Sequence, residues 1–331
     1  MNATAIARSR AWRRRRGTAG VTALVGLGLL GAAALLVNSW RAQLPPAVAV
    51  HWGVGGAPNG YASLGTAIGV MLVSGGVLVL GFAAITLGLG QSALTRRIGA
   101  AVTIWSALFL SLVTVGSLYG QRGLADARDA PGISGVLLVA IGGSVVAAIV
   151  VAVLVPGDPV QPTVEPVDRA APRVALEAGM RTVWSGGAES PAALVAGIGA
   201  AALMLVLAVL TQFWVLVIMA VLIFGLIASM SIVVVRIDGI GVLIRSPLGW
   251  PRTQIPLTEV VRADVIDVRP LRDFGGWGWR VGRRGRVGIA LRGGESLLVE
   301  RTGDRSTVVT VDHALIAAGT LNALADQARH R

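Results

Sequence analysis

Long apolar stretches broken by short arginine clusters set the pattern of this chain. No charged residue occurs in Gly17–Trp40, Ala42–Thr95, Ile98–Gln121, Ala130–Gly157 or Ser190–Val235. About 20 apolar residues are needed to cross ~30 Å of hydrocarbon at ~1.5 Å per residue. These runs therefore predict spans near Ala19–Ser39, Leu64–Leu89, Ile98–Tyr119 and Ile133–Val155. The last run would reach ~69 Å as one helix, so it is expected to fold back at Thr211-Gln212-Phe213 and supply two spans within Ala192–Val235. The expectation is an α-helical polytopic membrane protein with six transmembrane helices.

Beyond Arg236 the pattern changes. "SIVVVRID", "GVLIRS", "VVRADVIDV", "RVGIALR", "ESLLVER" and "STVVTV" are short β-branched runs, separated by turn signals such as Asp238-Gly239 and Gly293-Gly294. Asp312 then reads as an N-cap for a final helix, with Leu315, Ile316, Leu321 and Leu324 on one stripe. Six or seven antiparallel strands closed by one helix predict an all-β barrel or a roll of two packed sheets. The chain then divides into a basic N-terminus (1–18), a four-span block (19–155) with a loop at 41–63, a linker (156–190), a two-span hairpin (191–235) and the β tail (236–331). The linker is expected to be loose at first and helical near Val174–Arg181.

Composition agrees with this reading: 54% of residues are hydrophobic and mean hydropathy is +0.73. All 29 basic residues are arginine, and they give the topology. With six spans, only Arg41, Arg122 and Arg128 fall on the side opposite the termini. The positive-inside rule then places both termini in the cytoplasm of a multi-pass cell-membrane protein. The net charge of +12 follows from that bias, so no nucleic-acid partner is expected. The Arg13–Arg16 cluster serves topology and can meet anionic headgroups. The absence of cysteine excludes disulfides and thiolate metal sites.

One loop departs from the Ala, Val, Leu and Gly background: "LPPAVAVHWGVGGAPNGYAS", Leu44–Ser63, which holds the only histidine of the first 312 residues. Its prolines fix φ, and Pro58-Asn59-Gly60 is a strong turn. Leu44-Pro45, Val48, His51-Trp52 and Gly56-Ala57-Pro58-Asn59-Gly60-Tyr61 resemble the loop motif of the DUF1648 family, a segment also found in immunity and signal-transduction proteins related to SdpI. The resemblance covers about Ala34–Gly81. Three positions depart from it: Ala49 in place of a proline, Asn59 of an aspartate and Leu64 of a lysine. His51, Trp52, Pro58, Asn59 and Tyr61 remain as candidate contacts for a ligand or partner outside the cytoplasm. The bland alternative is a compact structural cap in which His51 bonds to backbone.

The tail following directly on a two-span hairpin resembles bacterial pleckstrin-homology-like (PH-like) domains of actinobacterial membrane proteins. "VRIDGIGVLIRSPLGWPRTQIPLTEV" and "PLRDFGGWGWRV" carry the likeness. It implies a binding or assembly module. Trp277, Trp279 and Arg280 are the candidate contacts there, against the reading that they form a hairpin corner with at least one ring packed on the barrel.

Catalytic templates are missing from the sequence: no G-x-S-x-G, H-E-x-x-H or P-loop occurs. Asp264 and Asp267 read as strand charges rather than a dyad. No ionisable residue sits within the spans, where coupled transporters place theirs, and glycines such as Gly26, Gly142 and Gly197 suit close helix packing. The sequence thus points to a non-catalytic sensor, immunity or accessory factor without cofactor or metal. Its expected partners are the bilayer and a membrane protein or peptide. The alternatives are a structural scaffold and a small-molecule or lipid transport component.

Overall fold

The computed structural model describes residues 3–53, 55–176, 182–249, 251–282 and 286–330, with side chains from Trp12 onward. Its contacts divide the chain into two compact units. One comprises Arg10–Gly157 with Ala202–Val221, the other Asp158–Ala201 with Leu222–Arg331 and the first nine residues.

The first unit is helical. It holds α1 (Ala3–Ser39) from Arg10 onward, α2 (Leu64–Leu89), α3 (Ala93–Tyr119) and α4 (Ser134–Leu154). Ser63 and Ser92 begin α2 and α3 by accepting the amides of Thr66 and Thr95 at 3.1 and 3.2 Å, the usual remedy for orphan N–H groups. Small residues set the packing distances. A Cβ on Gly75 would stand 2.6 Å from Leu30, and one on Gly116 would stand 2.7 Å from Val136. The buried hydroxyls turn to their own helices: Thr103 Oγ1 donates to Gly99 O (2.7 Å), Ser111 Oγ to Ala107 O (2.8 Å) and Ser144 Oγ to Ala140 O (2.6 Å). They satisfy themselves and need no water-filled path.

Five helices are long and apolar enough to cross a membrane: Trp12–Ser39, α2, α3, α4 and α5 (Pro191–Thr211). The sixth apolar helix, α6 (Val215–Ser231), has 17 residues, the lower limit for a span. Gln212 turns the chain between them at φ 55°.

The second unit is built on two sheets. Strands β3 (Trp184–Glu189), β4 (Ile232–Asp238), β5 (Gly241–Arg245) and β6 (Arg252–Pro256) form an antiparallel meander. The other sheet runs in the order β7 (Val260–Val268), β10 (Gly294–Arg301), β11 (Arg305–Thr310), β9 (Val287–Ala290), β8 (Gly278–Val281), and only β11 and β9 are parallel. Strand β4 buries Val233, Val235 and Ile237 in alternation. These join Ile244 and Ile255 of the same sheet, Leu297 and Val309 of the other, and Leu321 of the closing helix α8 (Ala314–Arg329) in one core.

Four expectations need correction. The linker, expected to be loose at first and then helical, instead ends in a strand, Trp184–Glu189, paired with β4. Upstream of it, the 158–173 segment is strapped to the β unit. Thr163 N donates to Thr258 O (2.8 Å), Val167 N to Asp326 Oδ1 (2.9 Å), and Val167 and Ala171 enter the core. Of the helix expected near Val174–Arg181, residues 174–176 are irregular and 177–181 lie outside the described residues. Asp312 does not cap α8; it pairs with Arg292, while His313 precedes the helix at φ 57° without a side-chain cap. The expected stripe on α8 also divides. Leu321 and Leu324 are buried with Ala317, Ala318 and Ala325, whereas Leu315 and Ile316 are 60% and 49% exposed. Alanines 317, 318 and 325 accompany the two leucines against the sheets, and the aliphatics at 315 and 316 do not. Finally, among the described residues eight strands, β4–β11, with one parallel pair, stand where the tail was expected to hold six or seven antiparallel ones.

Candidate functional site

The Leu44–Ser63 segment is a β-hairpin, β1 (Val48–Trp52) against β2 (Pro58–Ala62). Its register, Val48↔Ala62, Ala49↔Tyr61, His51↔Gly60 and Trp52↔Pro58, skips Val50 on one strand and Asn59 on the other. Such bulges re-aim side chains. Here they bring His51 Nδ1 to 2.5 Å from Asn59 Oδ1, with both residues exposed. Gly60 is required beneath this pair, since a Cβ there would lie 2.8 Å from His51 Cβ. The turn closes through Gly53 N to Ala57 O (2.9 Å), with Gly56 at φ 78°.

The hairpin is held from below by motif residues and by partners outside the motif. Gln121 is fully buried at the end of α3. Its Oε1 accepts Ala49 N (2.7 Å), and its Nε2 donates to Ala49 O (3.0 Å) and Ser117 O (3.0 Å). One amide side chain thus does for Ala49 what a third strand would do. Trp52 Nε1 donates to Pro131 O (3.0 Å), and its ring packs against Ala49, Ala127 and Ala130. On the other flank Val48 is buried with Val37, Leu64 and Leu118, beside Trp40 and Leu44. Trp40 and Tyr119 meet edge to face at 5.9 Å, and the Arg122 guanidinium covers both rings at 4.9 and 5.2 Å. Arg122 Nε also donates to Gln43 Oε1 (2.7 Å).

The five candidates on this loop are therefore together, but in different roles. Trp52 is an anchor. Pro58 accepts the Tyr61 hydroxyl at its carbonyl (2.8 Å), which fixes a ring that is 42% exposed. His51, Asn59 and Tyr61 form the outward face. His51 bonds to a side chain, not to backbone as the structural alternative expected.

Trp277, Trp279 and Arg280 lie in the other unit and form no common site with these. A short helix α7 (Pro270–Phe274) ends at Gly275, φ 69°, and Gly276 N donates to Pro270 O (3.0 Å). Gly275 and Gly276 of "FGGWGW" are thereby explained as a helix stop. Trp279, on β8, packs against the main core, whereas Trp277 is 47% exposed. Arg280 Nε donates to Trp277 O (3.0 Å) and folds over its own turn. Of the three, Trp277 is the one ring left outward. Asp264 is not part of a dyad; it pairs with Arg262 at 2.6 Å, and Arg262 also reaches Asp168 at 3.0 Å.

No family model matches this chain, and comparisons with curated proteins and with solved structures give no match.

One further feature was hidden in sequence. Glu259, 1% exposed, accepts Arg301 Nη2, Arg305 Nη2 (3.0 Å) and Gln161 N (2.8 Å). Burial acts to raise its carboxyl. The hydrogen bond and charge of Arg301, the Gln161 amide and the charge of Arg305 outweigh that and hold it below its ordinary value. Among the described residues no group of three His, Asp or Glu stands close enough to hold a metal ion. What the hairpin offers chemically is hydrogen bonding and aromatic surface.

Proposed function

We propose that this chain is a non-catalytic, six-span membrane protein that acts as a sensor, immunity or accessory factor. Its His51–Tyr61 hairpin is the contact surface outside the cytoplasm, and its two-sheet unit is a cytoplasmic binding module. The observation that carries this reading is the division of labour in the hairpin. Gln121, Trp52 and Val48 alone suffice to hold a cap, yet His51, Asn59 and Tyr61 are fixed in place on the exposed side. Pre-set polar and aromatic groups reduce the entropy lost on binding.

Six spans are supported by the base of the last hairpin. Ser190 N donates to Ser231 O (2.8 Å), and Glu189 pairs with Ile232. The start of α5 and the end of α6 are thus side by side, so α6 must return across whatever α5 crosses, and 17 residues reach ~26 Å. Two sheets closed by one helix support the PH-like reading, and the hairpin supports the DUF1648-type resemblance.

The test is a photo-crosslinking phenylalanine analogue at Tyr61 in native membranes, with His51→Ala as control. A discrete peptide or membrane-protein adduct that is lost in the control is expected. Crosslinks confined to the protein's own helix ends would reduce the hairpin to a lid and favour the scaffold alternative.

A further inference from the structure

Three arginines converge on the end of α4. Arg97 Nε donates to Val155 O (3.0 Å), Arg96 Nη2 to Pro156 O (3.2 Å) and Arg14 Nη1 to Gly157 O (2.9 Å). Three successive carbonyls are taken by guanidiniums from α1 and α3. A helix C-terminus carries only about half a negative charge, which does not offset the guanidiniums of Arg14 and Arg97. Among the described residues, neither Arg14 nor Arg97 has a carboxylate partner.

A cavity of about 440 Å³ begins at this cluster, with Arg14 and Arg96 in its wall. Its remaining walls are Val21 and Val25 of α1, Ile104 of α3 and Val151 and Leu154 of α4, with Gly17 leaving room at the entrance. The two threonines in the lining add little polarity, since Thr22 Oγ1 already donates to Thr18 O (2.9 Å). From Arg14 to Val25 the groove descends eleven helical residues, ~16 Å. One leaflet of a ~30 Å hydrocarbon core is ~15 Å deep. Positive charge at one end and a leaflet's depth of aliphatic wall below it describe a phosphate attached to an acyl chain.

We propose that this cavity binds one anionic phospholipid from the leaflet on the arginine-rich side. An acyl chain lies between α1, α3 and α4, and the phosphate rests against Arg14 at the mouth, with the charges of buried Arg96 and neighbouring Arg97 behind it. The site is independent of what the hairpin contacts. A zwitterionic headgroup matches the charge less well, and a free phosphate leaves the apolar wall unfilled.

The experiment is native mass spectrometry of the full chain released from nanodiscs that contain equal phosphatidylglycerol and phosphatidylcholine, with glycerol phosphate as a competing headgroup. Retention of one phosphatidylglycerol, about tenfold over phosphatidylcholine, is expected. Gly17→Leu should abolish it, since nothing lies within 4 Å of a Cβ at Gly17 and the new side chain grows into the cavity. Val151→Trp closes the groove from the opposite wall and should do the same. Arg14→Gln should lower the preference roughly fivefold, the effect of one basic side chain near an anionic surface. Equal retention of both lipids overturns the site, as does phosphatidylglycerol binding that survives both plugging variants. Displacement by glycerol phosphate at the lipid's own concentration would leave an anion site without a chain, and also overturns it.

Discussion

At the residue scale, two buried amides do the same work in two unrelated places. Gln121 takes both backbone groups of Ala49. Asn322, fully buried on α8, accepts Ala263 N (2.8 Å) and donates to Ala263 O (2.8 Å) and Pro172 O (2.9 Å). Each closes the open side of a strand that lacks a neighbour there, which also blocks pairing with another chain. Gln121→Leu is expected to strand the Ala49 amide and carbonyl at about 1–3 kcal/mol each; hydrogen exchange at Ala49 and at Tyr61, its partner on β2, would accelerate together. Glu259 gives a second prediction. Its carboxyl is lower in the folded chain than in the unfolded, so its contribution is complete above the unfolded value near ~4.3. That contribution is lost as pH falls through the folded value. Glu259→Gln should destabilise the β unit by about 3–5 kcal/mol at neutral pH and flatten its acid transition, followed by tryptophan fluorescence of the full chain in detergent. Neither amide nor Glu259 stood out in sequence, because a lone Gln, Asn or Glu carries no periodic signal; only a partner far along the chain gives it a role.

At the scale of elements, apolar runs and β-branched runs were legible because period and length alone identify them. Spans Leu64–Leu89 and Ile98–Tyr119 end on the residues where α2 and α3 end. What escaped was any element whose partner is remote. Trp184–Glu189, with two glycines at its centre, has little strand propensity and becomes a strand because β4 is available to it. The α8 stripe was misjudged for a related reason: alanine at 317, 318 and 325 reads as filler, yet it is what a close helix–sheet contact selects. For the last helix pair the prediction is direct. In a chain free of cysteine, Gln212→Cys should react with an impermeant maleimide from the same side as Asn59→Cys, and Ser190→Cys only from the other. Reaction of Gln212→Cys from the Ser190 side would reduce six spans to four with a re-entrant pair. Gly197→Leu would force Ile227 away, since even a Cβ there would stand 2.8 Å from it. Loosening of the β3–β4 register, seen as faster exchange at Gly187 and Val234, is the expected result.

For the whole molecule, charge and chemistry are segregated, and the candidate site was legible only in part. The outward His51, Asn59 and Tyr61 were visible as an odd string in an apolar background. Their support from Gln121 and Pro131 was not, because it comes from the next loop on the same side. The junction of helices and sheet has a consequence for how the protein is made. Strand β3 is synthesised before α5, and its partner β4 only after α6, so the first sheet cannot close until both helices have been threaded. On the six-span reading, a hairpin that fails to return leaves β4 across the bilayer from β3. The strand then keeps an unpaired edge, a recognisable mark of failure. On that same reading, closure of the sheet acts as a proofreading step on membrane insertion, completed by hydrogen bonds between strands and not by anything in the lipid.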